Sequence, residues 1–208
     1  GRALIAELNR LGCQAILASV GSTTNGPRTI TLEGSSGRTE VGSFDELFDA
    51  TPQLDGIVTI GAQREDATSA QAAPPLEEHV LGQVAATTEF LAALARRPEL
   101  PAAGHELPLW SVTFGSHAVT AADASIDPAS SAVVGLMRTA RLELGGIDVR
   151  IVDLPFGLEL PAAASEISRL LASDARHPEL AMRDGAMWEP GVVPGTSGNC
   201  SPVSELPA

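Results

Sequence analysis

Short, almost wholly apolar runs alternate along this chain with segments in which apolar residues recur at helical spacing. The runs read QAILASV (14–20), LDGIVTIGA (54–62), LPLWSVTFG (107–115) and GIDVRIVDL (146–154). A continuous apolar run of this length is typical of a strand buried on both faces, as strands of parallel sheets are. Parallel strands need crossover connections, which the helical segments supply. The alternation therefore predicts an α/β fold with a mostly parallel sheet and helices on both faces.

The helical segments carry start and stop signals where helices would begin and end. Ser43 precedes a short segment, and Glu46 three residues later completes a capping box. Asp127 and Pro128 form the N-cap and first position of another helix, which extends to residue 144. The longest predicted helix covers residues 76–96, after a proline-rich entry. Two further helices are predicted over residues 2–11 and 161–175.

Two pairs of strands and a tail complete the organisation. RTITLE (28–33) and RTEVG (38–42) flank GSSG, which predicts a surface hairpin. PELAMRDGAMWEP (178–190) predicts a terminal strand pair. The last stretch is rich in Gly, Pro and Ser and has no periodicity. We therefore interpret residues 1–189 as one domain and residues 190–208 as a flexible linker or tail.

Charge and residue spacing argue against several classes of partner and site. The formal net charge is −13 and no basic patch is present, so neither nucleic acid nor an anionic membrane is an expected partner. No apolar run reaches the ~18–20 residues that cross a bilayer. Cys13 and Cys200 lie far apart, and no stretch has the pattern of a secretory signal, so a cytoplasmic location is expected. The four histidines lack metal-ligand spacing, and no metal site is predicted.

The order of the segments and their amino-acid sequences resemble those of the short-chain dehydrogenase/reductase superfamily. Within it they are most similar to the structural, non-catalytic subdomain of modular polyketide synthase ketoreductases, over roughly residues 1–188. The resemblance implies a truncated, Rossmann-like, doubly wound sheet. It is carried by GRALIAELNRLGCQAIL (1–17), LDGIVTIGA (54–62), LPLWSVTFGSHAV (107–119), DPASSAVVGLMRTARLE (127–143), and the closing VRIVDL (149–154) and ELAMRDGAMW (179–188).

The resemblance also implies where catalytic residues would stand. Reductases of this superfamily use a tyrosine as proton donor, a lysine four residues later and a serine that orients the carbonyl. Aligned on Gly135, the tyrosine position falls at Ile126 and the lysine position at Ser130. The chain has no tyrosine, and its 13 basic residues are all arginines. We predict no catalytic residue, and we interpret Ser116, near the serine position, and His117 beside it as structural.

A dinucleotide site is not predicted in this chain either. Gly1 stands where the last glycine of the phosphate-binding turn would be, and the strand before that turn is not in the sequence. VGSTTNGPRT (20–29) contains glycines, but no helical pattern follows it, so we interpret it as an ordinary loop. No cofactor-binding residue is therefore assigned, and NADPH is expected in a catalytic partner.

In the polyketide enzymes that the chain resembles, a ketoreductase consists of two reductase-like halves. The resemblance implies that this chain is the structural half. It would stabilise a catalytic half that reduces a β-ketoacyl group on acyl carrier protein, beside other synthase domains. The helices over 76–96 and 127–144 are the predicted contact surface. Two alternatives stay open: a pseudo-ketoreductase scaffold that organises neighbouring megasynthase domains, and an atypical active reductase, which the missing residues disfavour.

The strand order of the superfamily raises a structural question, because its first strand lies at the centre of the sheet. This chain begins with the helix that follows that strand. An empty central position would expose two rows of unpaired backbone groups. We expect the gap to be filled by a preceding segment of a longer protein or by a strand of this chain that shifts inward. RTITLE alternates polar and apolar residues, and a strand buried on both faces would need to be apolar throughout. This favours the preceding segment.

Overall fold

The computed structural model describes residues 2–10, 17–20, 30–34, 37–62, 75–100, 105–123, 125–171 and 177–191. The helices in these ranges are α1 (Arg2–Arg10), α2 (Phe44–Ala50), α3 (Leu76–Ala95), α4 (Pro128–Glu143) and α5 (Leu160–Leu171). The strands are β1 (Leu17–Val20), β2 (Ile30–Gly34), β3 (Gly37–Val41), β4 (Ile57–Ile60), β5 (Leu107–Phe114), β6 (Ile147–Leu154), β7 (Glu179–Arg183) and β8 (Ala186–Trp188).

A five-stranded sheet with the order β4-β5-β6-β7-β8 forms the centre of the fold. Strands β4 to β7 are parallel, and β8 returns antiparallel to β7. The longest pairing joins β5 and β6 along all eight residues of each strand, from Leu107 opposite Ile147 to Phe114 opposite Leu154. The predicted Rossmann-like, mostly parallel α/β fold is confirmed.

Helices cover both faces of this sheet. Successive residues of a strand point to opposite sides, so each strand contributes side chains to both buried faces. On one face, Leu109 and Val149 join a buried cluster with Phe90 of α3 and Met137 of α4. On the other face, the buried cluster includes side chains of β5, β6 and α5: Val112, Phe114, Val152, Leu154, Ala163 and Ile167. Helix α1 packs against α5. Complete burial of one such large apolar side chain contributes about 1.5–3 kcal/mol.

The first three strands form a separate antiparallel sheet with the order β1-β2-β3. The hairpin predicted from RTITLE and RTEVG is confirmed as β2 and β3, although Ile30 at its start is buried. The prediction that residues 14–20 form a parallel strand is wrong for their described part, because β1 pairs antiparallel with β2. An apolar run indicates that a strand is buried, but it does not indicate whether the neighbouring strand runs parallel or antiparallel to it.

Strand β4 is less buried than its sequence predicts. Within the described residues only β5 pairs with it, so its other edge is open, and Ile60 is 37% exposed. RTITLE does not take the position beside β4, since β2 pairs with β1 and β3. No strand in the described ranges has moved inward to the position of the expected first strand. That a preceding segment takes this position stays a prediction.

The predicted helix signals are confirmed at the two capped helices. The carboxylate of Asp127 accepts hydrogen bonds from the N–H groups of Ala129 and Ser130, and Pro128 is the first helical residue. Ser43 Oγ accepts from Glu46 N at 3.2 Å. The Glu46 carboxylate reaches the N–H of Gly42, one residue before the N-cap, at 2.8 Å. The predicted tail lies outside the described residues from position 192 onward.

Candidate functional site

In open α/β sheets, ligands bind at the carboxyl ends of the strands, and in this chain a buried ionic cluster lies at the carboxyl ends of β5, β6 and β7. Arg183 ends β7 and is only 4% exposed. Its Nη2 donates to the Oδ2 of Asp153 at 2.8 Å, and its Nε donates to the Oδ1 of Asp123 at 2.6 Å. The remaining donors reach the backbone carbonyls of Asp153, Met182 and His117. One guanidinium thus ties β7 to β6 and to the loop after β5.

The second oxygen of Asp153 completes the cluster. It accepts from the backbone N–H of Ser116 at 2.8 Å and from the Thr113 hydroxyl at 3.0 Å. Asp153, Thr113 and Ser116 are almost fully buried. We call these five residues, Arg183, Asp153, Asp123, Thr113 and Ser116, the carboxyl-end cluster. Because its charges are paired and hydrogen-bonded, the polar groups of these five residues are satisfied within the chain at the carboxyl ends of β5, β6 and β7.

The carboxyl group of Asp123, in the loop after β5, has a lowered pKa. Burial alone would raise the pKa of this carboxyl group. The N–H groups of Thr120 and Val119 and the Arg183 guanidinium outweigh burial and lower the pKa from 3.8 to about 2. Both N–H bonds go to the Oδ2 of Asp123, at 2.7 and 2.8 Å. The carboxylate therefore stays ionised through the ordinary pH range.

The lowered pKa predicts acid sensitivity. Because the pKa of Asp123 is lower in the folded than in the unfolded chain, the stability it contributes is complete above about pH 4 and is lost as the pH falls towards 2. We expect this loss to be about 1–2 kcal/mol. Urea unfolding of the wild type and of Asp123→Asn between pH 5 and pH 2 measures it. The stability difference between the two proteins should shrink with falling pH; a constant difference would contradict this assignment.

Ser116 and His117, the two residues near the expected serine position, lie beside Glu179 of β7. The hydroxyl of Ser116 is 2.7 Å from His117 Nδ1, and His117 Nε2 is 3.8 Å from a Glu179 oxygen. A Ser–His–carboxylate row can generate a nucleophile. Here, however, Ser116 is 4% exposed and its Oγ also accepts a hydrogen bond from the Thr113 hydroxyl. Arg138 already binds Glu179 through two nitrogens, and this contact lowers the pKa of Glu179.

The positions that resemble the catalytic tyrosine and lysine do not fit a nicotinamide dinucleotide. Ile126 is half-exposed and offers no proton. Ser130 is 1% exposed; its N–H donates to the N-cap Asp127, and its Oγ accepts from the backbone N–H of Phe114 at 3.4 Å. Ser130 therefore closes the start of α4 against β5, instead of facing a groove. Neither Ile126 nor Ser130 supplies the phenol or ammonium group that a reductase places at these positions.

Sequence reasoning missed the residues that dominate this site. Arg183 follows an apolar strand segment and precedes the Asp184–Gly185 turn, a position that suggests an exposed strand end. Asp153 is the single charge within the apolar IVDL segment, which is the available signal that it is buried and paired. Their partnership joins residues 30 positions apart, and Asp123 is 60 positions from Arg183.

Other candidate sites are weaker. A cavity of about 250 Å³ lies between α2 and α3, lined in part by Phe44, Ala93 and the ion-paired Asp45 and Arg96. It is remote from the carboxyl ends of the strands. Among the described residues, no group of three His, Cys, Asp or Glu side chains could hold a metal ion. None of the described helices is long and apolar enough to span a membrane.

Sheet order, helix placement and sequence together define a Rossmann-fold domain. The profile of the Rossmann fold domain of the polyketide synthase extender module SpnB matches residues 21–192, which is most of the chain. The chain therefore belongs to this family of polyketide synthase Rossmann-fold domains. The predicted resemblance to the ketoreductase subdomains of these synthases is confirmed at this level. No curated protein sequence matches the chain significantly.

Two solved megasynthase structures superpose on part of this chain. A structure of the adenylation, ketoreductase and pseudo-Asub domains of a keto acid-selecting NRPS module superposes with a TM-score of 0.50 at 14% identity, over 69% of this chain and 12% of that chain. This likeness shows the fold alone. A C2-type ketoreductase from a modular polyketide synthase gives a TM-score of 0.48 at 27% identity, over 69% of this chain and 28% of that one. This chain thus spans a small part of either.

Proposed function

We propose that this chain is the non-catalytic structural half of a polyketide synthase ketoreductase. It stabilises a separate catalytic half, which binds NADPH and reduces a β-ketoacyl group on acyl carrier protein. The observation that carries the proposal is the carboxyl-end cluster: Arg183, Asp153 and Asp123 bind one another at the carboxyl ends of β6 and β7, on the side of the sheet where ligands bind, so these charges are already satisfied within the chain. Membership of a polyketide synthase Rossmann-fold family supplies the context.

The residues at the former catalytic positions support the same proposal. Proton donation to a ketone needs an acidic group within hydrogen-bond reach, and the apolar side chain of Ile126 has none. A charged ammonium that holds the cofactor ribose is missing at Ser130, whose hydroxyl is buried against Phe114. The chain also has no lysine or tyrosine elsewhere to replace them. In the proposed role, the fold serves as a scaffold for a neighbouring domain.

Exposed apolar side chains on α3 and α4 support the helical contact surface. Leu76 and Leu81 on α3 are 42% and 59% exposed, and Leu142 on α4 is 86% exposed. The two helices pack against each other on one face of the sheet. Large apolar side chains that stay exposed on a helix pair are candidates for burial against a partner. The proposed partner covers this helix pair.

Titration with NADPH tests the non-catalytic part of the proposal. We expect no saturable binding up to about 1 mM, a concentration that would saturate a reductase with a micromolar site. The double variant Ile126→Tyr/Ser130→Lys should not bind either, because the carboxyl-end cluster is unchanged and still ties β6, β7 and the loop after β5 together. Calorimetry on both proteins, with the separate catalytic half as positive control, gives the answer.

The same titration separates the alternatives. Saturable binding in the micromolar range would contradict the proposal and favour an atypical active reductase. Absence of binding, together with no association with a catalytic half, would favour the scaffold that only organises neighbouring synthase domains.

A further inference from the structure

A buried histidine lies where the first turn of α3 meets the start of α4. The side chain of His79 is 8% exposed, and that of Asp127, the N-cap of α4, is 4% exposed. Nε2 of His79 lies 3.9 Å from Oδ2 of Asp127. The same ring nitrogen lies 3.1 Å from Nε2 of Gln83, one helical turn further along α3. One nitrogen of the ring thus has a neutral neighbour on its own helix and an anionic neighbour on the next.

The orientation of the Gln83 amide group is set by the chain that leaves β4. Gln83 Nε2 donates to the backbone carbonyl of Ala62 at 2.7 Å, and because a carbonyl oxygen only accepts, the amide nitrogen must be the atom that faces it. The second N–H of this nitrogen points to the His79 ring, so Nε2 of His79 is an acceptor. The geometry therefore requires a neutral imidazole that carries its proton on Nδ1.

Protonation of His79 would change the partner of this nitrogen. A proton from solvent goes to Nε2, because Nδ1 already carries one, and the new N–H group then faces the N–H group of Gln83. Oδ2 of Asp127 is an acceptor about 1 Å beyond the length of a charge-assisted hydrogen bond. This oxygen also accepts from the N–H of Ser130, and a carboxylate oxygen can accept from two donors. The N-cap bond of α4 can therefore persist beside the new one.

The charged groups of α3 and α2 do not compete for this position. On α3, Glu77 and Glu78 are exposed, and Glu89 lies about 15 Å further along the helix from His79. Helix α2 packs near the other end of α3, where its Phe44 contacts Phe90. The carboxylates of α2 pair with arginines at that end: Asp45 with Arg96, and Asp49 with Arg97.

The other elements around His79 bring Asp127 as the charged group within reach. The next charged side chain of α4 is Arg138, about 16 Å further along that helix. Strands β4 and β5, beneath α3, contain no charged residue. The titratable groups of the loop after β5 contact other side chains: Asp123 binds Arg183, and His117 contacts Ser116.

We propose that His79 is a pH-dependent clamp between α3 and α4. When the ring is neutral, it accepts from Gln83 within α3; when it is protonated, it moves towards Asp127 and ties the start of α3 to the start of α4. The charge of a histidine ordinarily changes between pH 5 and 8, so the clamp closes in mildly acidic medium. The inference concerns this chain alone and does not depend on the proposed function.

A double-mutant cycle at two pH values tests the clamp. The wild type, His79→Gln, Asp127→Asn and the double variant are unfolded in urea at pH 8 and at pH 5.5, where histidines are ordinarily charged and aspartates ionised. Glutamine can still accept from Gln83 but takes up no proton, and asparagine remains a good N-cap. We expect a coupling of about tenfold in the unfolding equilibrium constant at pH 5.5 and of less than about twofold at pH 8.

Nitrogen NMR of the wild-type chain provides a readout that needs no variant. At pH 8 the proton of the His79 ring should be on Nδ1, and at pH 5.5 both ring nitrogens should carry one. The side-chain amide signals of Gln83 should shift over the same pH range. His177→Gln is the matched control and should leave these signals unchanged, because His177 is exposed and pairs with Glu189.

Two results would overturn the clamp. One is a coupling between positions 79 and 127 that is equal at the two pH values or absent at both. The other is a proton on Nε2 of His79 at pH 8, since the contact with Gln83 would then join two donors. If a variant does not fold, the wild-type spectra decide: Gln83 amide signals that stay constant while His79 takes up its proton contradict the inference, and signals that follow the protonation support it.

Discussion

Arg183→Met lowers the free energy of unfolding by about 3–5 kcal/mol at pH 7, the cost of breaking a buried ionic network from one side. Methionine retains most of the length of the arginine side chain and removes its donors. Asp153 would then be buried with one oxygen unpaired, and Asp123 would lose the 2.6 Å contact that helps to hold the loop after β5. The backbone carbonyls of Asp153 and His117 would also lose their donors.

Urea unfolding at pH 7 measures this effect, and Arg169→Met provides the control. Arg169 pairs with Glu166 one helical turn away on α5, and its side chain is 51% exposed. Exposed pairs of this kind contribute about 0.5 kcal/mol or less. If Arg183→Met costs no more than the control, the carboxyl-end cluster does not hold the loop to the sheet, and its part in the proposed function falls.

Gly115→Ala is the second large effect, with an expected loss of about 2–4 kcal/mol. Gly115 directly follows β5 and has a φ of +64°, in the left-handed region that non-glycine residues rarely adopt. A Cβ at this position would lie 2.7 Å from the Cβ of Phe156, so the backbone after β6 must move. Because Gly115 begins the loop that leads to Ser116 and Asp123, the distortion spreads into the carboxyl-end cluster.

A comparison of Gly115→Ala with Gly185→Ala isolates the steric part of this effect. Gly185 has a φ of +75°, and nothing lies within 4 Å of the position where its Cβ would be. Its substitution therefore carries the conformational cost alone, about 1 kcal/mol. Parallel denaturation of the two variants gives the difference. Equal losses would show that the contact with Phe156 relaxes without cost.

Much of the fold could be predicted because burial and capping leave local signals. The apolar runs that became β5 and β6 are buried between helices, and the Asp127–Pro128 start of α4 has the predicted hydrogen bonds. Local signals do not specify pairing direction, so the run at 14–20 was predicted in a parallel sheet while its described part pairs antiparallel with β2. The open edge of β4 depends on which strands are present, and no pattern within β4 records it.

The site could be predicted less well than the fold, because its contacts join distant parts of the chain. The absence of tyrosine and lysine could be read directly from the composition. That Ser130 would be buried against Phe114, or that Arg183 would bind both Asp123 and Asp153, requires the strand order to be known first. The sequence therefore shows which catalytic side chains are absent. Only the structure shows which contacts Ser130 and Arg183 make.

The ketoreductase activity of the catalytic half, assayed with and without this chain, tests the central claim most directly. A structural half preorganises the active residues of its partner, and misplacement of such residues by about 1 Å can cost about a hundredfold in rate. NADPH-dependent reduction of a β-ketoacyl thioester should therefore rise at least about tenfold when this chain is added, while the chain alone shows no turnover. Equal activity and equal thermal stability of the catalytic half in its absence would contradict the account, as would reduction by this chain alone.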